Sequence, residues 1–139
     1  MPELLKSRFS SELQVRPDDI DMNQHVHASR YFDYVLAARY EQMATCYKMS
    51  MEEFVQMGLG WYVRSFFIDY KRPLLLGERM IVTTWVDEIQ EESVKVQFEI
   101  SKKGNRKLTS EGYGIYTLIN LGSGRAEPIP NIVLEKYSI

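Results

Sequence analysis

One long helix-period segment stands almost alone in this chain, and it limits the fold more than any other feature. From about Ala28 to Lys48, Phe32, Val35, Leu36, Tyr40, Met43 and Tyr47 recur at three- and four-residue steps. Arg30, Asp33, Glu41 and Lys48 gather on the opposite side. This spacing predicts a helix of about 20 residues with one broad apolar face. The alanines at 37, 38 and 44 favour it locally. A face of that width has to be buried against something, and the remaining text says what.

Most of the rest reads as strand. FSSELQV, residues 9–15, places Phe9, Leu13 and Val15 on one parity and Ser10, Glu12 and Gln14 on the other. RPDDIDMNQ, with its proline, aspartates and asparagine, is a loop. SMEEFVQMG predicts a second, short helix in which Ser50 caps, Glu53 completes the capping box and Gly58 stops the helix.

After Gly60 come WYVRSFFIDY, then RMIVTTWVDEI beyond a break at Pro73 and Gly77, then the alternating SVKVQFEIS. KKGNRK is a hairpin turn, with its Gly-Asn pair suited to positive φ. KLTSEGYGIYTLINL is the last strand, where Gly112 and Gly114 mark a bulge or a close backbone contact. PIPNIVLEKYSI reads as a short tail.

Consecutive hairpins force antiparallel pairing, so the expected class is α+β: a curled sheet of about five strands around one long helix. Residues 1–139 are expected to form a single domain. A formal net charge of −2 leaves no excess of Lys and Arg to cover phosphates, which argues against a nucleic-acid binder. No segment approaches the roughly 18 uncharged apolar residues of a membrane span. The start carries no signal-peptide pattern, and one cysteine, Cys46, excludes an internal disulfide. These features fit a reducing cytoplasm.

The chemistry is concentrated in DIDMNQHVHASRYF, residues 19–32, which places two carboxylates, an amide and two imidazoles immediately before the helix. Asp19, Asp21, His25, Val26 and Tyr31 form a D-x-D, H-V, aromatic pattern; Tyr70, Pro73, Leu74, Gly77 and Glu78 form a Y-x-x-P-L-x-x-G-E pattern. On these two motifs the chain resembles the single-domain hotdog-fold acyl-CoA thioesterases of the 4-hydroxybenzoyl-CoA thioesterase type, over nearly its whole length. The Asp21-x-Asn23-x-His25 run is also similar to the active-site loop of acyl-ACP thioesterases, which typically join two such units in one chain. Both relatives usually carry two asparagines after H-V, where this chain has His27 and Ala28.

The resemblance implies a cofactor-free thioester hydrolase acting on acyl-CoA, with acyl-ACP as the alternative carrier. A hotdog protein that binds an acyl ligand without turning it over is the alternative of another class. It implies Asp21 as the base that activates water, with His25 and Asn23 secondary. The unpaired N–H groups of the first helical turn, at Ala28 and Ser29, would take the oxyanion. The acyl chain would run beside Tyr31, Tyr34 and Val35 and a partner subunit's strand around Trp61. Lys71 and Arg72, or the KKGNRK turn, would meet the CoA phosphates. The family pairs sheets edge to edge, so a homodimer or a dimer of dimers is expected. His25, His27 and Asp21 are metal-ligand types, but they are the only histidines and have no second cluster, so no metal is expected. Asp19 is read as a loop-shaping carboxylate, and Cys46 as a packed small hydrophobe.

Overall fold

A computed structural model describes residues 2–139. Five strands form one antiparallel sheet in the order β1-β3-β4-β5-β2. The strands are β1 (Phe9–Gln14), β2 (Leu59–Tyr70), β3 (Arg79–Ile89), β4 (Ser93–Lys102) and β5 (Leu108–Asn120). The long helix is α1 (Tyr31–Thr45), preceded by a single 3-10 turn at Ala28–Arg30. It is shorter than its apolar period suggests because Lys48 takes a left-handed φ of 60°. The N–H groups of Tyr47 and Met49 fold back onto the Gln42 and Met43 carbonyls and close the end. Among the described residues no helix is long and apolar enough to cross a membrane.

The short helix, α2 (Met51–Gln56), has both halves of the Ser50–Glu53 capping box, and Gly58 follows it at a φ of 76°. The tail is not a tail. Asn131–Tyr137 forms a third helix, α3, which buries Val133 and Tyr137 against the far end of the core. Seven residues are too few to show helical periodicity convincingly, and tertiary burial makes up the difference.

One further expectation changes, and one is decided between its alternatives. In the β4–β5 turn the positive φ falls on Arg106, at 62°, and not on the Gly-Asn pair. Register shifts fall between Val63 and Ser65 in β2, between Val86 and Glu88 in β3, and at Thr109 in β5, and none falls at Gly112 or Gly114. Gly112 on β5 is instead the close contact: a Cβ there would overlap the Phe67 carbonyl oxygen.

The buried face of α1 matches the expected one at Val35 and Met43, with Tyr47 just beyond the helix, and departs from it elsewhere. Tyr31, Tyr34, Val35, Ala38 and Gln42 press on the sheet, whereas Phe32 and Leu36 are half-buried and Tyr40 is exposed. Gln42 and Arg39 are buried as well because β1 and β3 supply hydrogen-bond partners at Ser11, Val82 and Thr84. Around the first turns of α1 the core is built from Val26, Leu74, Met80, Val82 and Ile100. Full burial of one such side chain contributes about 1.5–3 kcal/mol, so the loop that delivers Val26 and Leu74 is held by the core itself.

Candidate active site

The loop before α1 is organised around Asp19. Its carboxylate is buried, accepts the Tyr34 hydroxyl at 2.7 Å and lies 3.5 Å from Arg30 Nε. Its backbone carbonyl accepts the His27 N–H at 2.9 Å. Tyr34 in turn accepts the Arg16 N–H at 3.1 Å. Burial, joined by the Asp19 contact and opposed by the Arg16 N–H, pushes the Tyr34 phenol up to about 12. Asp19 therefore shapes the loop.

Asp21 sits at the tip. Ile20 bridges Val26, the Asp21 N–H donates to the His25 carbonyl at 2.8 Å, and Gln24 closes the turn with a φ of 63°. One carboxylate oxygen, Oδ1, accepts the N–H of Asn23 at 2.8 Å and of His25 at 3.1 Å. The other, Oδ2, accepts no hydrogen bond from the described residues. Desolvation raises the Asp21 carboxyl, but the His25 and Asn23 N–H bonds and the nearby His25 and His27 rings outweigh it and hold it below the usual carboxylate value. Asp21 is thus an oriented carboxylate, ionised at neutral pH, with one oxygen available.

The two sequence motifs meet here through the backbone. Val26 N–H donates to the Leu74 carbonyl at 2.9 Å, His25 bridges Leu75, and the Leu74 N–H donates to the Tyr31 hydroxyl at 3.0 Å. Gly77, at a φ of 85°, turns the chain so that Glu78 accepts the Leu75 N–H at 2.7 Å and Lys102 at 3.0 Å. Tyr70 donates to the Ala28 carbonyl at 2.6 Å and packs edge-on against Tyr31. Between the motifs lies a groove of about 320 Å³ lined by Asp21, His25, Ala28, Tyr31 and Tyr70, with Lys71 and Arg72. The N–H groups of Ala28 and Ser29 find no protein acceptor among the described residues. A base and unpaired donors on one groove suit attack on a carbonyl.

Of the residues singled out in the sequence, Asp21, His25, Ala28, Tyr31, Lys71 and Arg72 come together. Asn23 is exposed and outside the groove, and Ser29 is exposed at the start of the helix. Tyr34 and Val35 lie buried beneath the loop and do not wall the groove. Trp61 belongs to a different cavity, stacked on Tyr137 of its own chain at 5.9 Å. Lys71 is paired with Asp69 at 2.6 Å, and Arg72 donates to the Leu108 carbonyl at 2.9 Å. In the KKGNRK turn, Lys103 pairs with Glu12 at 2.7 Å, away from the groove. His27 is exposed, and no cluster of three or more potential metal ligands occurs among the described residues. Tyr70 is the site residue that reading for chemistry overlooks, although its place in the second motif marks it.

The model of the thioesterase-like superfamily matches residues 15–137. The chain belongs to that superfamily. The long-chain acyl-CoA thioesterase FadM of Escherichia coli strain K12 is 20% identical over 92% of this chain and 96% of its own. Slr0204, a 1,4-dihydroxy-2-naphthoyl-CoA thioesterase from Synechocystis, superposes with a TM-score of 0.83 at 20% identity, over 94% of this chain and 96% of that one. SAV2348 from Staphylococcus aureus, solved in complex with CoA, gives a TM-score of 0.84 at 18% identity, over 98% of this chain and 85% of that one. These neighbours share the hotdog architecture of this thioesterase-like chain: one long helix wrapped by a five-stranded antiparallel sheet.

Proposed function

We propose that this protein hydrolyses acyl-CoA thioesters to a free acid and CoA, with Asp21 as general base. The observation that carries the reading is the meeting, in one groove, of an ionised Asp21 with a free Oδ2 and the unpaired N–H of Ala28. Water gives a proton to Asp21 as its oxygen attacks the thioester carbon. The carbonyl oxygen becomes an oxyanion held by the N–H groups of Ala28 and Ser29. The C–S bond then breaks, and the departing thiolate recovers the proton from Asp21. The relatives named above differ in acyl group and share CoA, which supports CoA as the carrier. Of the Asp21-x-Asn23-x-His25 run that favoured an acyl-ACP carrier, Asp21 and His25 line the groove and Asn23 lies outside it.

Lys71 and Arg72 border the groove and are better placed than the KKGNRK turn to meet CoA phosphates. β2, at 12 residues, is a long sheet edge carrying the exposed Tyr62, Phe67 and Tyr70. Such an edge calls for a covering strand, and pairing with a second copy supplies one. Sedimentation as a monomer at working concentration would remove that arrangement.

Thiol release from short, medium, long and aromatic acyl-CoAs tests the reaction, with wild type and Asp21→Asn measured in parallel. The expected loss in the variant is about a hundredfold or more. Turnover unchanged by the substitution would transfer the base role to His25. Absence of turnover on every ester would favour a protein that binds acyl ligands without cleaving them.

A further inference from the structure

A second cavity, of about 200 Å³, lies between α1 and the β2, β4 and β5 strands. Leu36, Met43, Val63, Val94 and Val96 make most of its wall apolar, and Arg39 is the sole charged residue lining it. Arg39 is only 7% exposed. Its guanidinium donates to Thr84 Oγ1 at 3.3 Å and lies over the Tyr47 ring at 5.0 Å, with no carboxylate in ion-pair reach among the described residues. A largely buried guanidinium without an anion is costly.

The polar hydrogens around it are equally unsatisfied. The hydroxyls of Tyr116 and Tyr137 and the Trp61 indole N–H, all on lining residues, are buried without partners. So is the hydroxyl of Tyr47 under the guanidinium. The Trp61 N–H and the Tyr137 hydroxyl lie close but complete no bond of good geometry. Orphans of this kind are rare in folded proteins, and three of them belong to residues that line this cavity.

Arg39 is also held in place from behind. It donates to Thr84, which donates to Gln42 Oε1; Gln42 Nε2 donates to Ser11 at 3.0 Å, and Ser11 donates to Glu41 at 2.9 Å. The chain uses only Nη1 of the guanidinium. The remaining guanidinium N–H groups are therefore oriented without being consumed.

The cavity lies further along α1 than the groove, beyond the Phe32–Phe66 contact. Phe32, Leu36, Arg39 and Met43 share one face of the helix, and Phe32 packs on Phe66 of β2 at 4.3 Å. Eleven residues separate Ala28 from Arg39, roughly 16 Å of helix axis at about 1.5 Å per residue. An acyl group that reaches from one to the other is an extended chain, and a single aromatic ring is too short.

We propose that the cavity receives the far end of the acyl chain and that this end carries a carboxylate, so that the substrate class is ω-carboxyacyl-CoA. This rests on the thioesterase reading and names its substrate. A guanidinium fork set in an apolar wall matches a carboxylate on a methylene chain. A plain hydrocarbon end would leave the guanidinium without an anion.

The test compares ω-carboxyacyl-CoAs with plain acyl-CoAs of equal chain length, and free long-chain dicarboxylic with monocarboxylic acids by calorimetry. Wild type, Arg39→Met and Tyr116→Phe are used, with thermal unfolding recorded for each. The expected result is a wild-type preference for the ω-carboxylate of about tenfold or more in kcat/KM and in binding. Arg39→Met abolishes this preference in both readouts, and Tyr116→Phe, which alters one hydroxyl and little shape, weakens it several-fold. Dicarboxylate binding that depends on Arg39 supports the site even if no ester is turned over, in which case only the thioesterase reading fails. Cleavage of plain esters with no ω-carboxylate preference, or a preference that survives Arg39→Met, overturns the site and leaves the thioesterase reading standing.

Discussion

The Tyr70 hydroxyl donates to the Ala28 carbonyl at 2.6 Å, tying the end of β2 to the residue that opens the helical segment beside Asp21. It fixes the peptide whose neighbouring N–H groups are proposed to hold the oxyanion. Tyr70→Phe keeps the ring against Tyr31 and removes only this bond. A single hydrogen bond has a net worth of about 0.5–1.5 kcal/mol, so kcat should fall roughly two- to tenfold with little change in KM. Steady-state kinetics on the best acyl-CoA decide it: a rise in KM at constant kcat would make Tyr70 a groove wall only.

The pH profile separates the two candidate bases. Asp21 is held below the usual carboxylate value, so the rate should be flat through neutrality. It should decline only on the acid side of about pH 3.9, the ordinary aspartate value. Stability moves the same way. A folded-state value depressed below the unfolded one contributes stability that is fully present above the unfolded pKa and lost as pH falls through the folded one. Rates corrected for the folded fraction by circular dichroism check this. An inflection between roughly pH 5 and 8, where imidazoles titrate, would assign the base to His25.

Tyr34→Phe should damage the loop and spare the groove. The substitution removes a 2.7 Å bond to the buried Asp19 and leaves the Arg16 N–H without its 3.1 Å acceptor. Stranding buried polar groups costs about 1–3 kcal/mol, which urea unfolding resolves. KM should stay near the wild-type value. A large KM effect without a stability change would put Tyr34 in contact with substrate.

Gly112→Ala should be among the most damaging single substitutions in the sheet. The new methyl would overlap the Phe67 backbone carbonyl across the β2–β5 pair. Backbone cannot yield as a side-chain tip can, so a loss of about 3 kcal/mol or more is expected. A midpoint of thermal unfolding equal to that of wild type would contradict the close approach.

Much of this molecule was legible in its amino acids. The alternation of Val94, Val96, Phe98 and Ile100 announces β4, and Ser50 with Glu53 announces the start of α2. These signals are local, because a strand's period and a capping box lie within a few residues of chain. α3 escaped because its seven residues depend on the pocket they fill. On α1, apolar spacing pointed to Phe32, Val35, Leu36, Tyr40, Met43 and Tyr47 as the buried face, and of these Val35, Met43 and Tyr47 are buried. The fold also buried Gln42 and Arg39, since Ser11 and Thr84 on distant strands satisfy them.

The same division runs through the site. The sequence by itself determined that a D-x-D, H-V loop leads into one long helix packed on an antiparallel sheet, and with it the superfamily. Only the tertiary structure decided that Asp21 keeps one oxygen free, that Tyr70 reaches Ala28, and that Arg39 lies unpaired in a cavity ringed by orphan hydroxyls. The physical reason is range. Propensity and periodicity act between neighbours in the chain, whereas burial and hydrogen-bond satisfaction are settled by residues that meet only after the sheet has curled around the helix.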